Sequence, residues 1–189
     1  GDELITGKNV VIATGSYSRS LPGLEVDGVK VITSEQALAL DHVPASVVIL
    51  GGGVIGCEFA SVWKSFGAAV TIVEALPRLV AGEDEASSKV LERAFRRRKI
   101  AFKTGVRLES VSATGEGVDV LLSSGETLSA ELLLVAVGRG PATDGAGLSE
   151  AGVELDRGYV VTDERLRTSL EGVYAVGDIV PGLQLAHRG

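Results

Sequence analysis

The segment Val47-Val48-Ile49-Leu50-Gly51-Gly52-Gly53-Val54-Ile55-Gly56-Cys57-Glu58 allows few folds. Four consecutive aliphatic residues suit a strand buried on both faces, as parallel sheets require. Gly51-x-Gly53-x-x-Gly56 then lets the backbone turn sharply and come close to a pyrophosphate, and a helix from about Val54 would aim its unpaired N–H groups at that anion. Glycine is abundant here, 25 of 189 residues, so three in register prove little alone. The next apolar run, Ala69-Val70-Thr71-Ile72-Val73, ends in Glu74, about twenty residues on, where a carboxylate can accept hydrogen bonds from an adenosine ribose. A plain strand-turn-helix with a solvated Glu74 explains neither the third glycine nor the position of the acid. A carboxylate there also repels a 2′-phosphate and so favours NAD over NADP. Arg78, four residues later, could in principle answer such a phosphate.

The remaining pattern reads in chain order. Asn9 to Ala13 is a short strand running into Thr14-Gly15-Ser16, and Pro22-Gly23 marks a turn. Gly28 precedes the run Val29 to Ile32, and Ser34 reads as the capping residue of a short helix to Leu40. A helix from Val54 to Phe66 stops at Gly67, and a second begins at Glu83-Asp84-Glu85. Strand, helix, strand, helix predicts a parallel sheet. After Ile100–Thr104, the segments Val106–Ala113, Gly117–Leu122 and Glu126–Ser129 alternate in polarity and predict an antiparallel meander. Leu132 to Val137 returns as a buried strand ending at Gly138-Arg139-Gly140-Pro141, where open α/β sheets bind ligands. Short apolar segments follow at Val153–Leu155, Tyr159–Val161 and Gly172–Val176, the last leading to Gly177-Asp178. Asp178 could cap a following helix or serve a ligand.

A net charge of −7 argues against a nucleic-acid partner. The basic cluster Arg93, Arg96, Arg97, Arg98 and Lys99 reads as a solvated helix end. Apolar runs are strand-length, so no membrane partner is expected, and a cytoplasmic location is inferred. The single cysteine excludes an intrachain disulfide. Cys57 stands in the first turn of the glycine-led helix, where the dipole could lower its pKa; packing of a small apolar side chain against the sheet is the competing reading.

The order of these motifs, Ala13-Thr14-Gly15, Gly51 to Glu58, Glu74, Val137-Gly138-Arg139-x-Pro141 and Tyr174 to Asp178, resembles the flavin-dependent pyridine nucleotide-disulfide oxidoreductases over nearly the whole chain. The closing stretch Gly177-Asp178-Ile179-Val180 through Leu185-Ala186-His187 is similar to the dihydrolipoamide dehydrogenases of that family, more than to its glutathione or mercuric reductases. The resemblance implies an α/β fold: a Rossmann-like three-layer NAD-binding domain at 42–158, with a parallel sheet and an antiparallel meander, flanked by partial FAD-binding segments at 1–41 and 159–189. It implies that Gly51, Gly52, Gly53, Val54, Ile55, Gly56, Glu58, Glu74, Val106, Ala136, Gly138 and Arg139 belong to the NAD site. It further implies that Thr14, Gly15, Asp178 and Ala186 face FAD.

No catalytic residue and no metal ligand is assigned. The family's redox cysteine pair, its first flavin glycine motif and its His–Glu relay have no counterpart in this sequence, and His42 and His187 are not substitutes. The chain is therefore expected to be a fragment that seats NAD(H) for hydride transfer from reduced FAD and is inactive alone. For the parent the resemblance implies lipoyl-bearing proteins of 2-oxoacid dehydrogenase complexes as partners and a homodimer. A related disulfide or mercuric reductase fragment, and a stand-alone nucleotide-binding module, are the alternatives.

Overall fold

Alternate residues of Ser46–Leu50 face opposite layers, which is why an unbroken aliphatic run is needed there. The computed structural model describes residues 5–188; residues 1–4 and Gly189, at the outer ends of the expected flanking segments, lie outside them. In chain order the strands are β1 (Val10–Ile12), β2 (Ser16–Ser18), β3 (Val31–Ile32), β4 (Ser46–Leu50), β5 (Ala69–Glu74), β6 (Ala101–Thr104), β7 (Leu108–Ala113), β8 (Val118–Leu122), β9 (Thr127–Ala130), β10 (Leu132–Val135), β11 (Arg139–Pro141), β12 (Leu155–Asp156), β13 (Tyr159–Val160) and β14 (Val173–Ala175). The α-helices are α1 (Ser34–Leu38), α2 (Val54–Ser65) and α3 (Glu85–Arg97).

Two compact units divide the chain: Ser18–Gly138, and residues 1–17 together with 139–189. This division differs from a boundary at 41/42 and 158/159. Val31 and Ile32 pair with Leu133 and Leu134 and so bring β3 into the sheet that holds the glycine turn. Residues 139–158 group with the chain ends instead.

In the Ser18–Gly138 unit, five parallel strands run in the order β3-β10-β4-β5-β6. Val47 and Ile49 join Ile72, Leu134, Cys57, Ala60, Trp63 and Phe95 in one buried layer under the helices. Val48 and Leu50 join Val73, Leu133, Val135, Val118, Val120 and Leu122 in the other, under the antiparallel meander β7-β8-β9. The three layers, helices, parallel sheet and meander, match the α/β architecture read from the sequence. β4 sends α2 to β5 on one side while β10 lies on its other side, so the strand order reverses at β4, the arrangement that opens a ligand crevice beyond the carboxyl ends of the strands.

Two local expectations need correction, and the run Val29 to Ile32 divides between a turn and a strand. Val29 and Lys30 do not extend β3, because Asp27 Oδ1 accepts the N–H groups of Val29, Lys30 and Val31 and folds them into a turn. The first helix is capped by Thr33, not Ser34: Gln36 Oε1 accepts the Thr33 N–H at 2.9 Å, and the Thr33 carbonyl accepts from Ala37. The basic end of α3 is more than a solvated face. Arg98 donates to Ser61 Oγ at 2.6 Å and Ser65 Oγ at 2.8 Å and so ties that end to α2.

In the other unit, β1 and β14 pair in parallel, β12 and β13 form a hairpin, and Ile12, Val153, Val160, Ala175 and Ile179 make a small core. Val10 and Val11 on β1 stay 51% and 62% exposed, a large apolar exposure for a strand. No helix among the described residues is long and apolar enough to cross a membrane, and none of the described His, Cys, Asp and Glu side chains cluster in threes as a metal site would require.

Candidate nucleotide site

β4 delivers its last residue, Leu50, to the carboxyl edge of the sheet, where the chain must reverse into α2. Gly51 makes the reversal at φ 109°, and a Cβ there would lie 2.3 Å from the Ala136 carbonyl oxygen. Only glycine satisfies both the backbone angle and the approach to β10. Gly56 lies one turn into α2, and a Cβ on it would lie 2.0 Å from the Gly51 oxygen, so this glycine lets the helix seat against the turn. Gly53, the residue capping α2, differs from both: its φ is −72° and a Cβ would meet nothing within 4 Å. The space beside Gly53 is open, and α2 presents its first backbone N–H groups there without a capping side chain. Val54 at the helix start is 54% exposed.

Glu74 ends β5 beside this turn. Its Oε2 accepts the Gly52 N–H at 2.5 Å and its Oε1 the Leu76 N–H at 2.7 Å. The carboxylate is thus fixed in orientation while each oxygen keeps a further acceptor position. Gly52 is closed in by Leu79 Cδ2 and Glu74 Cβ, 2.6 and 3.0 Å from where a Cβ would stand, so a side chain there would have to displace Leu79, a demand the three-glycine pattern does not name. Val106 follows β6, and its N–H donates to the Glu74 carbonyl at 3.1 Å; the Ala136 N–H donates to the Leu50 carbonyl at 2.8 Å. Gly138, at φ 117°, is exposed at the end of this stretch. Glu58 is exposed on the second turn of α2. The carboxyl edge of one sheet therefore gathers Gly51 through Gly56, Glu74, Val106 and Ala136.

Arg78 does not stand free to meet a phosphate. Its guanidinium donates to Ser88 Oγ at 2.5 Å, to the Ala81 carbonyl at 2.8 Å and to the Val80 carbonyl at 3.4 Å. Leu79, Val80 and Ser88 around it were not singled out in the sequence; the only signal for them was an apolar pair and a small polar residue beside the first turn of α3. Cys57 is packed in the buried layer, the second of the two readings its position allows. Burial first, and then the charges of Glu74 and Glu58, push its thiol up to about 11, and its Sγ donates to the Gly52 carbonyl at 3.4 Å. Desolvation of the thiolate outweighs the helix dipole.

The other named residues lie in the second unit. Thr14 Oγ1 donates to the Ala142 carbonyl at 2.6 Å, and the Gly15 carbonyl accepts from Ala142 N–H. Asp178 lies in a 3₁₀ turn, Gly177–Ile179, rather than capping a longer helix, and its Oδ2 accepts the Ser16 hydroxyl at 2.5 Å. Arg139 donates to Ser16 Oγ and to the Ser16 carbonyl, both at 2.7 Å. Ala186 opens a short 3₁₀ turn and is exposed.

Comparison with known proteins bears on the family of the chain. The family model described as pyridine nucleotide-disulphide oxidoreductase matches residues 1–189. A dihydrolipoyl dehydrogenase of Chlorobaculum tepidum is 44% identical over 189 residues, covering 98% of this chain and 40% of that protein. A dihydrolipoamide dehydrogenase of Chaetomium thermophilum is 43% identical over 195 residues, covering 100% and 39%. Among solved structures, LpdA of Mycobacterium tuberculosis superposes with a TM-score of 0.86 at 36% identity, covering 95% of this chain and 39% of that one. The HOCl-induced flavoprotein disulfide reductase RclA of Escherichia coli gives 0.90 at 32% identity, covering 97% and 42%. The chain spans about two fifths of the length of these relatives. With its strand order, its glycine turn and a family match along its full length, the chain belongs to the pyridine nucleotide-disulphide oxidoreductases.

Proposed function

We propose that this chain is the NAD(H)-binding part, with flanking FAD-binding segments, of a flavin-dependent dihydrolipoamide dehydrogenase. The observation that carries the reading is Gly53: Gly51 and Gly56 admit no Cβ for reasons internal to the fold, whereas Gly53 has open space beside the helix start, which suits a phosphate and no protein neighbour. The residues fit the dinucleotide. The N–H groups at the start of α2 would hold the pyrophosphate, and Glu74, with lone pairs left after its two backbone bonds, would accept the adenosine ribose hydroxyls. Its charge repels a 2′-phosphate, and Arg78 is engaged with Ser88 and Ala81, so NAD is preferred over NADP. Val106, Ala136 and Gly138 would line the groove, and Glu58 would face the nicotinamide side.

Thr14, Gly15, Asp178 and Ala186 would face the flavin. The Asp178 carboxylate, oriented by Ser16, suits the hydroxyls of a ribityl chain. When both groups are bound they supply the redox chemistry, a hydride passing from reduced flavin to the nicotinamide. One cysteine cannot form an intrachain disulfide, so oxidation of dihydrolipoamide falls to residues of a longer parent. Lipoyl-bearing proteins as partners and a homodimeric parent follow from the same reading. The measured identities to dihydrolipoyl dehydrogenases support it.

Titration of the purified chain with NADH, followed by nucleotide fluorescence, tests the proposal. Saturable binding is expected, with Glu74→Gln weakening NADH by about tenfold through loss of a charge-assisted bond while narrowing the gap to NADPH. Absence of saturable binding up to about millimolar NADH, the weak end of specific affinities, refutes it.

A further inference from the structure

The segment from Leu76 to Asp84 joins β5 to α3 and passes against the glycine turn. Val80 donates its N–H to the Gly52 carbonyl at 2.7 Å, and the fully buried Leu79 side chain closes in Gly52. Val80 does this from φ 43°, a left-handed backbone conformation that is strained for a β-branched residue. Something must hold it there. Its carbonyl lies within 3.4 Å of the Arg78 guanidinium and 3.5 Å of Ser88 Oγ, while Arg78 bonds Ser88 at 2.5 Å and the next carbonyl, Ala81, at 2.8 Å. Ser88 is 1% exposed, and the Leu79 N–H is held by Glu92 Oε1 at 3.2 Å. The strained residue is thus clasped on its carbonyl side by α3 and spends its N–H on the nucleotide turn.

In a planar trans peptide the C=O and N–H point in opposite directions. Fixing the Gly52 carbonyl toward Val80 therefore fixes the Gly53 N–H away from it. We propose that Arg78 and Ser88 are positioning residues of the nucleotide turn: by holding Val80 left-handed they orient the Gly52–Gly53 peptide so that its N–H is available to the ligand pyrophosphate. This rests on the NAD(H) reading above. Arg78 acts here through Val80 and touches no ligand phosphate, the opposite of the role its charge and position suggest in the sequence.

The experiment compares NADH affinity across Arg78→Met, Ser88→Ala and the same substitutions in a Val80→Gly background, with thermal unfolding measured on each. Glycine adopts the left-handed conformation without a clasp. Arg78→Met and Ser88→Ala should each raise the NADH Kd by about tenfold when Val80 is present. In the Val80→Gly background each should change it by less than about twofold. A merely structural role would weaken binding equally in both backgrounds, and that result overturns the proposal. Unchanged NADH affinity in both single variants overturns it as well. If Arg78→Met fails to fold, Ser88→Ala carries the same comparison; if neither folds, the pair belongs to the core and the proposal falls. Failure of the unaltered chain to bind NADH refutes the NAD(H) reading instead, so the two are distinguishable.

Discussion

Replacing Gly56 with alanine would place a Cβ 2.0 Å from the Gly51 carbonyl oxygen and 3.2 Å from Ile49 Cγ2. The nearer obstacle is backbone, which no rotamer change removes. Ordinary contact begins at 3.4 Å, so α2 and the turn must part by about 1.4 Å. That shift carries Cys57, Ala60 and Trp63 out of a close-packed layer. Overpacking of this kind costs about 3 kcal/mol, partly offset by about 1 kcal/mol from the better helix propensity of alanine. The net of about 2 kcal/mol lowers Tm by about 6 °C in a chain of this size. Gly53→Ala behaves differently, since its methyl meets no protein atom within 4 Å and its φ of −72° suits alanine. A poorer capping residue and a less flexible unfolded chain nearly cancel, leaving about 0.5 kcal/mol or less. NADH affinity nevertheless falls by about tenfold or more, because the methyl fills the approach to the pyrophosphate. Circular dichroism melts and NADH titration of both variants make the comparison. Equal loss of Tm in the two variants, or undiminished NADH binding by Gly53→Ala, refutes the division of roles among the glycines.

Two further expectations concern protons. With its thiol pushed up to about 11, Cys57 should react with iodoacetamide at pH 8 far more slowly in the native chain than in guanidinium; comparable rates would show that the thiol is not shielded. The Asp41 carboxylate, and then Glu131, raise the pKa of His42. A raised folded pKa contributes stability that is full below about 6.5 and is lost as pH rises through the folded value. The His42 ring signals in NMR should therefore titrate above the range of a free histidine, and His42→Gln should flatten the pH dependence of Tm there. A midpoint at or below the free value contradicts the paired geometry.

Elements whose cause is local were legible in the sequence. Val47–Leu50 and Leu132–Val137 read as buried strands because every side chain is aliphatic; all of Val47–Leu50 is buried, and the second strand is buried from Leu132 to Val135, where it ends, with Ala136 and Val137 half-buried beyond it. The meander was visible as alternation, and Val118, Val120 and Leu122 indeed face the core. Gly51 and Gly56 were legible as a pattern, and the structure supplies the contacts that require them. What escaped depends on partners distant along the chain or on competition between two effects. β3 is two residues long and exists because Leu133 and Leu134 lie beside it, a pairing no local pattern marks. Arg78 reads as a mobile cation until Ser88, ten residues on, is brought against it. For Cys57 the sign of the shift depends on how completely the thiol is desolvated, which a position in a helix does not specify.

The approach of Gly51 to Ala136 also constrains the order in which the chain can mature. The wall against which the turn closes is supplied by β10, and at the other end of the same strand pair the bond from the Glu131 N–H to Ser46 Oγ spans 85 residues. During synthesis, β4, the glycine turn and α2 leave the ribosome long before that wall exists, with the whole meander still to come. The turn is written early and completed late, and contacts of such long separation make folding slow. Until β10 inserts beside it, β4 is an aliphatic edge strand open to pairing with another chain. Chaperone demand and loss to aggregation should accordingly be greatest for nascent chains ending between Glu74 and Leu132.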